Sequence, residues 1–159
     1  MVVVVFVAFV GGIVALGIGA STGDIPFVGY NGPRFGCGFQ NSSSYQDGTS
    51  RTSVQGCVAP GFPSSIPLLQ STIVTGTKET GADNYVRYDV VISTPDLDAA
   101  KSSIPDQLTG AGYTPVANDD ASEPHDVFEN EAYKVYLTYS RGGLHGDTVE
   151  YYVVPEGSQ

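Results

Sequence analysis

The stretch "YVRYDVVISTPDLDAAKSSIPDQLTGAGY", residues 85–113, decides how this chain folds. Its first part alternates: Val86, Tyr88, Val90 and Ile92 fall on one side and Arg87 and Asp89 on the other, the period of a half-buried strand. The period then changes. Leu97, Ala100, Ile104 and Leu108 recur at helical spacing and predict one apolar stripe along a helix. Thr94 as N-cap with Pro95 in the first helical position is the start signal, because a proline there removes no needed donor. Pro105 does remove one, so it is expected to kink or split the helix. Gly110 or Gly112 is available for the left-handed cap that ends it.

Working outward, "STIVTGTKE" from Ser71 reads as a short strand upstream. Downstream, "YTPVAN" is a short strand, and "HDVFENEAYKVYLTYS" reads as a hairpin turning at Asn130-Glu131. Tyr133, Val135, Leu137 and Tyr139 share one face of it. After the Gly-rich turn "RGGLHGD", the strand "TVEYYVV" closes the unit. This order gives an α+β class, an antiparallel sheet with one helix packed on a face, over residues 68–159.

Residues 21–67 are rich in Gly, Pro, Ser and Asn and show neither a helical nor a strand period. Phe27, Tyr30, Phe35, Phe39, Tyr45 and Phe62 are too many aromatics for a solvated linker, so this segment is expected to pack on its own domain or on a neighbouring protein. Cys37 and Cys57 are the only cysteines, and their spacing fits neither a redox CxxC pair nor a zinc knuckle. A disulfide between them would close a loop inside the segment and place it in an oxidising compartment. Asn41-Ser42-Ser43 is a glycosylation sequon.

The chain opens "MVVVVFVAFVGGIVALGIGA", residues 1–20, without a single charge. Twenty helical residues span about 30 Å, the thickness of a bilayer's hydrocarbon core. A cleavable secretory signal would carry a basic n-region and a shorter apolar run. The expectation is a transmembrane helix from Val2 to Ala20. Gly11 and Gly12, with Gly17 and Gly19, give it a small-residue face suited to a partner helix. The cysteine pair places the C-terminal domain outside the cytoplasm.

Composition narrows the function. The formal charge is −10 with only seven Lys and Arg among 159 residues, which argues against nucleic acid and against an anionic lipid surface. Charged residues make up 15%, below the roughly 25% of an average soluble domain. His125 and His145 are the only histidines and neither sits in a GxSxG or HExxH setting. The acidic run "NDDASEPHD" gathers Asp119, Asp120, Glu123 and Asp126 around His125. It lacks the spacing and glycine of an EF-hand loop and reads as a solvated turn, not a metal site. No cofactor and no catalytic residue is assigned, and the chain is read as non-enzymatic.

Two phrases carry a resemblance. Pro63, Ile66, Pro67 and Leu68 in "GFPSSIPLLQ" match a P-x-x-(I/L)-P-L-P phrase, and Leu108, Ala111, Gly112 and Tyr113 match a helix ending L-x-x-A-G-(W/Y). In these the chain resembles a family of small exported, membrane-anchored α+β domains of βαββ type common in high-GC bacteria. The resemblance implies an α+β fold and an envelope location, and no catalytic residues. Pro105 and the insertion that holds the cysteines depart from the pattern.

Together these readings predict a single-pass, extracytoplasmic structural or interaction protein, an accessory subunit of a larger membrane or envelope assembly. Its partners would be other envelope proteins, met through the membrane helix (Gly11, Gly12) and through residues 21–67, with Phe27, Tyr30, Phe35 and Phe39 as contacts. The alternative is a pilin-like subunit with the apolar helix as filament core. Against it, the helix ends near residue 20, and Val5 stands where many pilins carry a glutamate.

Overall fold

The computed structural model describes residues 37–38, 40–81, 85–118 and 125–157. The proposed membrane helix and the contacts Gly11, Gly12, Phe27, Tyr30, Phe35 and Phe39 lie outside the described residues. The strands are β1 (Gln40–Ser44), β2 (Ser50–Gln55), β3 (Thr72–Thr80), β4 (Val86–Thr94), β5 (Thr114–Val116), β6 (Asp126–Glu129), β7 (Tyr133–Gly143) and β8 (Gly146–Pro155). The helix α1 (Leu97–Gly110) lies between β4 and β5. The strands form one sheet in the order β1-β2-β3-β4-β8-β7-β6-β5, and every neighbouring pair is antiparallel. The α+β architecture expected from residues 85–113 is the one observed.

The core lies on one face of this sheet. Val90 and Ile92 of β4, Val135 and Leu137 of β7, and Val149, Tyr151 and Val153 of β8 are all completely buried there. Leu97, Ala100, Ile104 and Leu108 come down on them from α1. Strand alternation and the helical stripe therefore meet as the sequence predicts.

The ends of α1 differ in detail from expectation. The N-cap is Asp96, not Thr94, and its carboxylate accepts the Ala99 N–H at 2.9 Å. Thr94 Oγ1 instead accepts the Asp96 N–H at 3.3 Å, so Pro95 sits before the cap. At the other end, Gly112 has φ 90°. The Tyr113 N–H donates to Leu108 O and the Gly112 N–H to Thr109 O, both at 3.0 Å, the paired closure of a Schellman motif.

Pro105 neither splits nor ends the helix, which is continuous from Leu97 to Gly110. Ile104 and Leu108 flank it and are 1% and 0% exposed, so both turns are held on the sheet despite the missing donor. The proline is consequently a local weakness. Pro105→Ala is expected to raise stability by about 2 kcal/mol, the helix-interior cost of proline less its restriction of the unfolded chain. Urea unfolding of the two proteins checks this; an unchanged or lower midpoint contradicts it.

Residues 40–55, which show no strand period, form β1 and β2. The reason is that, apart from the buried Val54, these strands are polar on both faces. Hydroxyl pairs hold them in place of apolar contacts: Ser42 with Thr52 at 3.2 Å, Ser53 with Thr77 at 3.1 Å and Ser50 with Thr80 at 2.6 Å. Cys37 and Cys57 form a disulfide with Cα atoms 5.4 Å apart, clipping the start of β1 to the residues just after β2.

Residues 57–69 fold across the core face beside α1. Val58, Ala59 and Ile66 are buried and Phe62, Leu68 and Leu69 pack against the same cluster. Tight turns return the chain, with Phe62 N–H to Ala59 O at 3.1 Å and Ile66 N–H to Pro63 O at 3.3 Å. The Leu69 N–H donates to the buried Tyr151 hydroxyl at 3.1 Å.

Candidate interaction surface on the open sheet face

Because side chains alternate, the residues between the core positions project to the opposite face. The registers Glu79↔Arg87, Thr77↔Asp89, Asp89↔Tyr152 and Tyr152↔Tyr136 place these side chains in rows across the sheet. Arg87 is the hub. Its guanidinium lies 3.6 Å from Glu79 and 3.6 Å from Asp89, and 5.2 Å from the centre of the Tyr152 ring. The ion-pair distances exceed those of hydrogen bonds, and Arg87 Nε is buried without an acceptor among the described residues.

The aromatic part continues from there. Tyr85 and Tyr152 share a hydroxyl–hydroxyl bond of 3.2 Å. Tyr136 meets Tyr152 edge-on at 5.3 Å between ring centres, and His125 meets Tyr136 edge-on at 5.3 Å. Lys134 stands 5.9 Å from the Tyr136 ring centre and 3.6 Å from Glu129. Tyr85, Arg87, Tyr136 and Tyr152 are half-buried, neither core nor fully solvated. Such a row gives flat, amphipathic contact area at low side-chain entropy cost, which suits recognition more than bond chemistry.

Electrostatics on this face are shaped by crowding. Burial pushes the Asp89 carboxyl above its ordinary value, against the pull of Arg87 and Arg51. Glu150, more exposed, moves the same way, through the protein around it and then the Asp89 charge, with Arg87 opposing. Burial and the Tyr85 hydroxyl push Tyr152 up to about 12. The upward shifts have a consequence for pH. Between the ordinary carboxyl values, 3.8 for Asp89 and 4.5 for Glu150, and the raised folded values, the folded state holds more protons than the unfolded one. The contribution of these groups to stability therefore declines as pH rises through that window. Asp89→Asn should then gain on wild type as pH is raised from about 4 to about 7. Melting temperatures of both proteins across that range check it; a difference that does not change with pH contradicts it.

The structure locates some of the residues singled out in the sequence. Cys37 and Cys57 are joined. Asn41 is exposed on β1, opposite Ser53. Tyr45 is 54% exposed, whereas Phe62 packs edge-on against Tyr88 at 5.8 Å. Asp119, Asp120 and Glu123 lie outside the described residues; Asp126 begins β6 opposite Leu137. No local pattern in the sequence marks the Arg87–Tyr152–Tyr136 row as a surface. Its signal was present in the second register of "YKVYLTY" and "VEYYVV", where alternation puts Tyr136 and Tyr152 beside Arg87 once the strand order is known.

No family model matches the chain, and no curated protein or solved structure matches it significantly.

Proposed function

We propose that the protein is a non-enzymatic, single-pass membrane protein with its α+β domain outside the cytoplasm, serving as an accessory subunit of a larger membrane or envelope assembly. The observation that carries this reading is the pairing of an uncharged twenty-residue opening with a Cys37–Cys57 disulfide in the domain that follows. The first suits a bilayer and the second an oxidising exterior. Partners meet the helix through its glycine face at Gly11 and Gly12, and meet residues 21–67 through Phe27, Tyr30, Phe35 and Phe39.

A chain with seven cations and a net charge of −10 has little to offer in electrostatic docking. Association would rest on helix packing and apolar burial, which salt does not screen. The experiment is purification from native membranes followed by identification of the co-purifying proteins, before and after a high-salt wash. Wild type should keep its partner through the wash, and the Phe35→Ala, Phe39→Ala double variant should lose it, since interface aromatics can each cost about 2 kcal/mol or more on truncation. Release by salt alone, or full assembly by the double variant, contradicts the proposal.

A further inference from the structure

The two edges of the sheet are unlike. At one end β5 has only three residues, one of them Pro115. A short strand with a proline is a poor template for further pairing. At the other end β1 has five residues, all exposed, with no charge, proline or bulge. Among the described residues nothing pairs with its outer side.

The hairpin bonds fix which backbone groups that side presents. The Tyr45 N–H donates to Thr49 O at 2.8 Å, so Tyr45 turns its backbone groups toward β2. Paired residues in an antiparallel ladder alternate in this respect. Asn41 and Ser43, opposite Ser53 and Arg51, therefore also bond inward. Gln40, Ser42 and Ser44 point their N–H and C=O groups outward, where no described strand meets them.

We propose that β1 is a dimerisation edge, pairing antiparallel with β1 of a second copy about a two-fold axis at Ser42. This register is self-complementary. Ser42 faces Ser42 of the second copy, and Gln40 faces its Ser44, so every outward backbone group of the strand is paired and the sheet runs through both copies. Charge favours the same occupant. On a chain of net charge −10 this edge is neutral, and the strand behind it carries only Arg51, so two copies can meet here without opposing carboxylates on β1 or β2. The Ser42 hydroxyl is already bonded to Thr52 at 3.2 Å, which ties β1 to β2 at the residue on the proposed axis.

The outward direction of the Ser42 N–H supplies the test. Ser42→Pro removes a donor that the chain's own ladder does not use, whereas it places a ring at the centre of the dimer contact. Ser42→Lys sets two like charges face to face without touching the backbone. The mass of the full-length protein in mild detergent, read by sedimentation or light scattering over a concentration series, should show a wild-type dimer. Each variant should weaken its dissociation constant by at least ~10-fold while near-UV circular dichroism remains that of wild type. A wild type that stays monomeric at its highest soluble concentration overturns the proposal. So does a dimer that persists in Ser42→Lys, since it would be held elsewhere, for instance by the apolar N-terminal stretch. If Ser42→Pro alone loses its native spectrum, the inward and outward assignment of β1 is wrong and the proposal falls with it.

Discussion

Replacing Gly76 by alanine is expected to destabilise the fold more than any other single methyl added to a described glycine. Gly76 is buried at the middle of β3, between Val54 and Val90 in the two flanking strands. Residues 57–59 cross directly over it. A Cβ at this position would run into the Cys57 carbonyl oxygen and lie 2.6 Å from both the Ala59 nitrogen and the Val58 Cα. These are backbone atoms, so no rotamer change relieves the contact. The crossing chain is itself held at one side by the disulfide and at the other by buried Ala59 and Ile66. Moving it would lift residues 57–69 from the core. The expected cost is about 3 kcal/mol or more, the upper end of overpacking, and a fall in Tm of roughly 10 °C. Gly112→Ala offers a useful comparison, because no described atom would lie within 4 Å of the added Cβ, and its φ of 90° is what opposes the change. Thermal and urea unfolding decide it. A Gly76→Ala protein within about 1 kcal/mol of wild type would mean that residues 57–59 do not lie on β3.

The second large effect is expected from the disulfide. Cys37 and Cys57 are separated by 20 positions, and opening a loop of that size costs about 3 kcal/mol in the chain-entropy account. The loss should be uneven across the molecule. Among the described residues β1 buries nothing and is held by its ladder to β2, the Ser42–Thr52 hydroxyl pair and this bond. In the Cys37→Ala, Cys57→Ala protein, hydrogen exchange at Asn41 and Ser43 should accelerate well beyond the change at Val90 and Tyr151. Uniform acceleration would show instead that the bond supports the whole sheet. Equal stability with and without it would remove the disulfide from the account of the fold.

What was legible in the sequence follows from where apolar residues make a pattern. Val86 to Ile92 and Leu97 to Leu108 face one core, so their periods survive into the structure, and the hairpin at Asn130 is marked by its own chemistry: Asn130 Oδ1 accepts the N–H groups of Ala132 and Tyr133, both at 2.9 Å. β1 and β2 bury almost no apolar surface and carry no such period. Their place in the sheet depends on hydroxyl pairs with residues far along the chain. Residues 57–69 bury Val58, Ala59 and Ile66 without regular structure, and only the absent side chain of Gly76 records the crossing. The shift of the N-cap from Thr94 to Asp96 has a local cause, because the carboxylate of Asp96 reaches the Ala99 N–H. On the open face, Arg87 and Asp89 could be placed opposite the core from β4 alone. Their union with Tyr136 and Tyr152 required the order β4-β8-β7, which no local pattern encodes.

Whether the domain stands on the oxidising side of a membrane, as proposed, is decided by thiol labelling of intact cells producing the full-length chain. Cys37 is exposed, and it is unreactive only while bonded to Cys57. A membrane-impermeant maleimide should therefore label nothing at first and label the protein after an impermeant reductant, with the chain recovered in the membrane fraction. Labelling only after the cells are lysed, or recovery of the chain with both thiols free, would contradict it.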